Sequence, residues 1–199
     1  QQVARVLTHH GLSALVHQSG LERFAPLMRR RPRHRPRPAE GLRLALGELG
    51  VTFIKLGQML STRADLLPPD FVTELAKLQD AAPPVAIESI AATITTDLGA
   101  PPRQLFATFD ASPLASASIG QVHAATLRDG SPVVVKVRRP GVVEEVERDL
   151  DILGRLAQWL QMRTAFGQNY DLDPLVSEFS YTLRNELDYV REGQNAERI

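Results

Sequence analysis

Between residues 112 and 137 the chain gives up the three-to-four spacing of apolar residues that prevails elsewhere and takes up a spacing of two. Residues 112–116 and 120–127 read as strands, and Asp129-Gly130 reads as a hairpin turn. Pro132-Val133-Val134-Val135-Lys136-Val137 reads as a third strand, ended by Pro140-Gly141. Three short antiparallel strands are therefore predicted, and the rest of the chain has to be built around a small sheet.

On both sides the pattern is helical. Residues 3–18 are weakly periodic, with Val3, Val6, Leu7, Leu12, Leu15 and Val16 interrupted by Gly11. Residues 40–63 carry Leu42, Ala45, Leu46 and Leu49 on one face, then Phe53, Ile54, Gly57 and Leu60, with Gly50 as the break between two helices. Further helices are predicted over 69–78, over 86–98 with Gly99 closing it, and over 142–162. A last helix is predicted from an Asp173-Pro174 cap to the end of the chain. Between the first two helical stretches lies Arg29-Arg30-Arg31-Pro32-Arg33-His34-Arg35-Pro36-Arg37-Pro38, whose prolines exclude regular structure. It reads either as a solvated linker or as an electrostatic contact with an anionic surface, each basic residue then contributing about 1 kcal/mol. The expected division is residues 1–38 as an N-terminal helix and basic linker, 39–110 as a helical extension, and 111–199 as the sheet-containing lobe.

Composition narrows the function classes. The chain has no cysteine, which excludes disulfides and thiolate metal sites. Its 23 basic and 23 acidic residues cancel, so charge gives no ground for a nucleic-acid partner and none is expected. No apolar run approaches the ~20 residues of a membrane span and no secretory signal is visible, so a soluble piece is expected. The chain opens on Gln1 and stops at Ile199 inside a helical pattern, which reads as a piece of a longer protein.

Three groups of residues could carry chemistry. The first is Ala115-Ser116-Ala117-Ser118-Ile119-Gly120-Gln121-Val122, the pattern A-x-A-x-x-G-x-V, with Lys136 downstream. A protein-kinase nucleotide loop is G-x-G-x-x-G-x-V followed by a strand ending in lysine. Glycines let backbone N–H groups approach phosphates, and alanines in their place give a stiffer, differently shaped cradle. The alternative is an ordinary hairpin with small residues in its turn. The second is the acidic run Glu186-Leu187-Asp188-Tyr189-Val190-Arg191-Glu192. On a continuous helix Asp188 and Glu192 share a face and Glu186 points away. Glu192 is the candidate partner of Lys136, unless the run is simply a solvated helix face. The third is Lys55-Leu56-Gly57-Gln58, where Lys55 and Gln58 share a face and Gly57 costs a helix up to ~1 kcal/mol, which suggests close packing. A buried Lys55 would need a carboxylate, and Glu186 and Asp188 are available. A surface lysine beside a packing glycine is the other reading.

Together these residues resemble a known family. Phe53-Ile54-Lys55-Leu56-Gly57-Gln58-Met59-Leu60-Ser61-Thr62-Arg63 is similar to the K-x-G-Q motif of UbiB proteins, also called ABC1 or ADCK proteins. These are atypical protein-kinase-like proteins tied to ubiquinone biology. Ala115 to His123 resembles that family's alanine-rich loop, Val135-Lys136-Val137-Arg138-Arg139-Pro140-Gly141-Val142 its strand lysine, and Asn185-Glu186-Leu187-Asp188-Tyr189 with Glu192 its E-x-D motif and helix glutamate. Val51 and Gly193 depart from the usual pattern without touching these groups.

The resemblance implies an α+β fold, a protein-kinase-like small lobe preceded by an all-helical extension that lies over the active cleft. It implies that ATP or ADP is bound by Ala115, Ser116, Ala117, Ser118, Ile119, Gly120 and Val122, with Ala117 tuning nucleotide preference. Lys136 would contact the phosphates and pair with Glu192. Lys55 and Gln58 would enter the cleft where a protein substrate sits, Lys55 being anchored by Glu186 and Asp188 at a cost of ~3–5 kcal/mol if one partner is removed. Mg2+ ligands, a catalytic loop and D-F-G would follow Ile199, so no metal site is expected here and the chain alone should be inactive. The implied function is that of an atypical kinase or ATPase supporting ubiquinone biosynthesis. The competing class is a non-catalytic nucleotide sensor. Lipid or isoprenoid-quinone partners and an anionic membrane surface are implied, on the cytoplasmic side of an inner membrane, with attachment peripheral or through a C-terminal segment.

Overall fold

The structure is a computed structural model that describes residues 2–12, 37–79, 82–164, 167 and 169–196. Most of the Arg/Pro segment, and the part of the first helical stretch beyond Leu12, fall outside them. In chain order the elements are α1 (Gln2–His9), α2 (Pro38–Leu49), α3 (Val51–Leu60), α4 (Pro69–Leu75), α5 (Ile87–Leu98), α6 (Pro102–Leu105), β1 (Thr108–Phe109), β2 (Ala115–Ser116), β3 (Gly120–Thr126), β4 (Pro132–Arg138), α7 (Val142–Arg163), α8 (Leu172–Leu187) and α9 (Tyr189–Ala196). They form two compact units, Gln1–Gln79 with Glu147–Leu183, and Asp80–Val146 with Arg184–Ile199.

The first unit is helical. Gly50, at φ 108° and ψ −170°, separates α2 from α3 in a backbone region that only glycine enters cheaply. The turn brings Ala45, Leu46 and Leu49 of α2 and Phe53 of α3 into one core with Val6, Leu12 and Leu75. Gly57 sits where α3 meets this core. A Cβ there would overlap Leu78 Cδ1 and lie 2.9 Å from Leu46 Cδ1, so the glycine permits the contact with Leu46 and Leu78. Beside this core, Leu56 and Leu60 of α3, Leu153 and Leu156 of α7 and Leu172 and Val176 of α8 help line an apolar cavity of about 350 Å³.

The second unit contains the sheet, in which β3 is central. It pairs antiparallel with β1 and β2 along one side and with β4 along the other. Ile90 and Ile94 of α5 pack on Val137, with Val135, Phe109, Leu105 and Val85 around them. Alternation then puts Lys136 on the opposite face of β4. The core face of β3 carries two polar side chains, Gln121 and His123, at 1% and 0% exposure. The Val85 N–H donates to Gln121 Oε1, Gln121 Nε2 meets His123 Nε2 at 3.2 Å, and His123 Nδ1 meets the Asp110 carbonyl oxygen at 2.9 Å.

Several boundaries differ from the sequence expectation. The strand predicted over 112–116 is only Ala115–Ser116, because an Asx turn from Asp110 Oδ1 to the Ser112 N–H and the missing N–H of Pro113 break the ladder. β1 was not anticipated. α4 stops at Leu75, three residues early. α8 starts at Leu172, one residue before Asp173, and Asp171 Oδ1 accepts the Asp173 N–H at 3.3 Å, so the cap lies two residues upstream of the predicted Asp173-Pro174. The last helix is interrupted at Asp188, and α9 begins at Tyr189.

Gly57→Ala should lower stability by about 1 kcal/mol. Overpacking against Leu46 and Leu78 costs about 1–3 kcal/mol and outweighs a helix-propensity gain of up to ~1 kcal/mol. Urea unfolding of the 199-residue chain measures the difference, and a net gain would show that the neighbouring leucines have room to move.

Candidate functional site

The alanine-rich stretch forms the β2–β3 hairpin, with Ala115 opposite Val122 and Ser116 opposite Gln121. Its tip is folded inward, with Ser118 and Ile119 both buried. The Ala117 N–H donates to the Gly120 carbonyl at 2.9 Å. The Ala117 carbonyl accepts from Arg139 Nε at 2.8 Å. Arg139 Nη2 also reaches Ser116 Oγ at 3.1 Å and the Pro83 carbonyl at 2.7 Å, and the Arg139 N–H bonds the Ile119 carbonyl at 2.9 Å. One guanidinium thus fastens the hairpin to the segment leading into α5. This clamp is a constraint on the hairpin separate from the alanine methyls.

Gly120 has a packing reason to be glycine. A Cβ on it would run into the Tyr189 hydroxyl and lie 2.8 Å from the Val137 carbonyl oxygen. Two residues on, Val122 stands opposite Lys136 in the β3–β4 register. Lys136 Nζ donates to both carboxylate oxygens of Glu192, at 2.8 and 2.7 Å, and lies 4.4 Å from the centroid of the Tyr189 ring. The two side chains of this pair are 38% and 55% exposed. A pair so exposed contributes only about 0–1 kcal/mol to stability, and the ring contact about 0.5–1 kcal/mol. The arrangement therefore serves position: it holds an ammonium ion in reach of solvent beside the hairpin, where a phosphate oxygen can approach it. Among the described residues, no trio of His, Cys, Asp or Glu ligand atoms converges beside Lys136.

The break at Asp188 changes the reading of the acidic run. Asp188 Oδ1 accepts the Arg191 N–H at 3.1 Å, and the Asp188 carbonyl accepts the Glu192 N–H at 3.1 Å. Asp188 is therefore the N-cap of α9. The helix is broken at Asp188, and the two acids take different parts, Asp188 capping α9 and Glu192 meeting Lys136. Glu186 is half-buried near the end of α8. In the first unit, Lys55 is half-buried on α3, and Gln58 Nε2 donates to the Leu78 carbonyl at 3.2 Å, which ties α3 to the chain after α4.

The second unit thus assembles Ala115, Ser116, Ala117, Ser118, Ile119, Gly120, Val122, Lys136 and Glu192 around one hairpin and one helix start. Sequence reasoning assigned no part in this to Arg139, Tyr189, Gln121 or His123. A polar pair two residues apart on an otherwise alternating strand was the available signal for Gln121 and His123. Nothing local marks Arg139, whose guanidinium partners lie 22 to 56 residues away.

Residues 77–199 match the family model of the ABC1 atypical kinase-like domain. The chain is 46% identical over 158 residues to a probable protein kinase UbiB of Marinobacter nauticus, covering 79% of this chain and 29% of that protein. It is 45% identical over 163 residues to an uncharacterized protein of Synechocystis, covering 82% and 28%. It is 44% identical over 161 residues to the chloroplastic protein Activity of BC1 complex kinase 7 of Arabidopsis thaliana, covering 81% and 23%. The chain spans less than a third of the length of these relatives. Among solved structures, the Rv3197–erythromycin complex from Mycobacterium tuberculosis matches 89% of this chain and 40% of its own at 29% identity, with a TM-score of 0.47.

Arg139→Ala should cost about 1 kcal/mol, because the part-buried Ala117 carbonyl loses its donor while the exposed Pro83 carbonyl can turn to water. Hydrogen exchange at the Ala117 amide should quicken about tenfold or more, equivalent to about 1.4 kcal/mol of easier local opening. Arg139→Lys should restore little of this, since an ammonium lacks the planar fork. Unchanged exchange in Arg139→Ala would show that the hairpin holds without the clamp.

Proposed function

The chain belongs to the ABC1 atypical kinase-like family, and on that footing we propose that its second unit is the nucleotide-holding small lobe of a UbiB-type atypical kinase or ATPase. The observation that carries this is the bidentate Lys136–Glu192 pair beside the Ala115–Ser116 hairpin, all within one compact unit. The lysine matches its role in phosphate binding: it is charged, half-exposed and oriented by a carboxylate that does not bury it.

In this reading Lys136 donates to the α- or β-phosphate oxygens of ATP or ADP. Glu192 and the Tyr189 ring keep the ammonium on the site between binding events. Ala115, Ser116, Ala117 and Ser118 cover the phosphates, and the methyl of Ala117 adjusts the preference between ATP and ADP. Gly120 lets the hairpin lie close against Tyr189, and Val122 presents an apolar side chain beside the lysine. Bound Mg2+ would neutralise phosphate charge during transfer, through ligands outside these 199 residues. The chain alone then binds nucleotide without turning it over. Lys55 and Gln58, with Glu186 and Asp188 as anchors, are proposed to restrict the cleft toward protein substrates in the longer protein. Support of ubiquinone biosynthesis is proposed for that longer protein, on the strength of its similarity to proteins named UbiB. Lipid or isoprenoid-quinone partners belong to the same proposal. So does a place at the cytoplasmic face of an inner membrane. No helix among the described residues is long and apolar enough to cross a membrane, so attachment would be peripheral or through another segment.

Calorimetric titration of the chain with ATP and with ADP tests the reading. Both should bind, and Lys136→Ala should weaken binding more than about tenfold while changing stability by no more than about 2 kcal/mol, the ion pair and the ring contact together. Ala117→Gly should alter the ratio of the two affinities. Lys136→Ala binding nucleotide as well as the parent would sink the proposal, and measurable Mg-ATP hydrolysis by the pure chain would sink its second half.

A further inference from the structure

A second group of ligating side chains lies in the first unit and takes no part in the lysine site. His9 is in the last turn of α1, His10 follows it, and Glu48 is in the last turn of α2. The end of α1 is closed by a complete Schellman motif. The Gly11 N–H bonds the Thr8 carbonyl at 3.2 Å, the Leu12 N–H bonds the Leu7 carbonyl at 3.0 Å, and Gly11 has φ +84°. Leu12 is buried in the same core as Leu46 and Leu49, which flank Glu48 in sequence. Both helix ends are therefore anchored, and the three polar side chains are carried on fixed backbone.

Their ligand atoms are close and the local field favours a cation. His10 Nε2 is 2.6 Å from Glu48 Oε2, and the His9 and His10 rings meet edge to face at a centroid distance of 5.0 Å. One ligand atom from each of His9, His10 and Glu48 lies within 4.8 Å of the others. Two helix C-termini, each bearing partial negative charge, end at this spot, and Glu48 adds a full charge at the end of α2 where a carboxylate is disfavoured unless a cation offsets it. A metal ion can supply that cation, with His10 and His9 as additional ligands. Two imidazoles and one carboxylate suit the borderline ions Zn2+, Ni2+ and Cu2+, whereas Mg2+ and Ca2+ prefer oxygen ligands throughout.

We propose that His9, His10 and Glu48 bind one borderline divalent transition-metal ion, with water completing its shell, and that the ion staples α1 to α2. The probe is ZnCl2, titrated by calorimetry into the 199-residue chain carrying no affinity tag. One equivalent should bind, and MgCl2 should not compete. His9→Ala and Glu48→Gln should each weaken binding more than about tenfold, since even the loss of a group that merely supports a ligand costs 10–100-fold. Both positions are exposed, so circular dichroism without metal should match the parent. Zinc should raise the melting temperature of the parent and leave that of the two variants nearly unchanged. A His17→Ala/His34→Ala variant, which removes other imidazoles from the N-terminal stretch, should bind zinc like the parent. The proposal is overturned by the absence of saturable zinc binding, by binding that survives either ligand substitution undiminished, or by binding that disappears with His17 and His34.

Discussion

Two polar side chains stand on the core face of the central strand, and the second unit depends on their mutual satisfaction. Gln121 and His123 are as shielded from water as the buried leucines of the core. A backbone carbonyl can only accept, so His123 Nδ1 carries the proton toward Asp110, and Nε2 is left to accept from the Gln121 amide. The bonds fit one neutral tautomer of the imidazole. The other end of Gln121 takes the Val85 N–H. A single buried donor or acceptor left without its partner costs about 1–3 kcal/mol, so β3, the segment before α5 and the turn before β2 are held to one mutual position.

That fixed frame gives the hairpin its shape. Arg139 follows β4 directly and reaches back across β3 to the Ser116 and Ala117 side of the loop and to Pro83. On the opposite face of the sheet, Tyr189 fills the space at Gly120 and lies under Lys136. The loop is fastened from one side and the lysine oriented from the other. An ion pair with so much exposure contributes little to folding, and its effect is to hold the Lys136 ammonium in one orientation.

The glycines show how one residue type answers to different constraints. Gly50 takes a backbone conformation closed to side chains, whereas Gly57 and Gly120 are required by atoms from elsewhere in the fold. The alanines at 115 and 117 need no such room, because the hairpin turns its tip inward and the Ala117 N–H bonds within the loop.

The sequence by itself determined where most helices lie, the β3–β4 hairpin and the pairing candidate for Lys136, because periodicity, turn dipeptides and motif spacing are local signals. The K-x-G-Q, alanine-loop and E-x-D stretches likewise carried the family, since each is contiguous. Tertiary structure decided the rest. It placed α5 on the sheet through Ile90, Ile94 and Val137, made Asp188 the cap of a new helix, and recruited Arg139 and Tyr189 to the site. Each of these follows from a contact between residues far apart in the chain or from a hydrogen bond that a capping side chain offers in competition with the helix. Neither a long-range partner nor the outcome of that competition is written in the spacing of neighbouring residues.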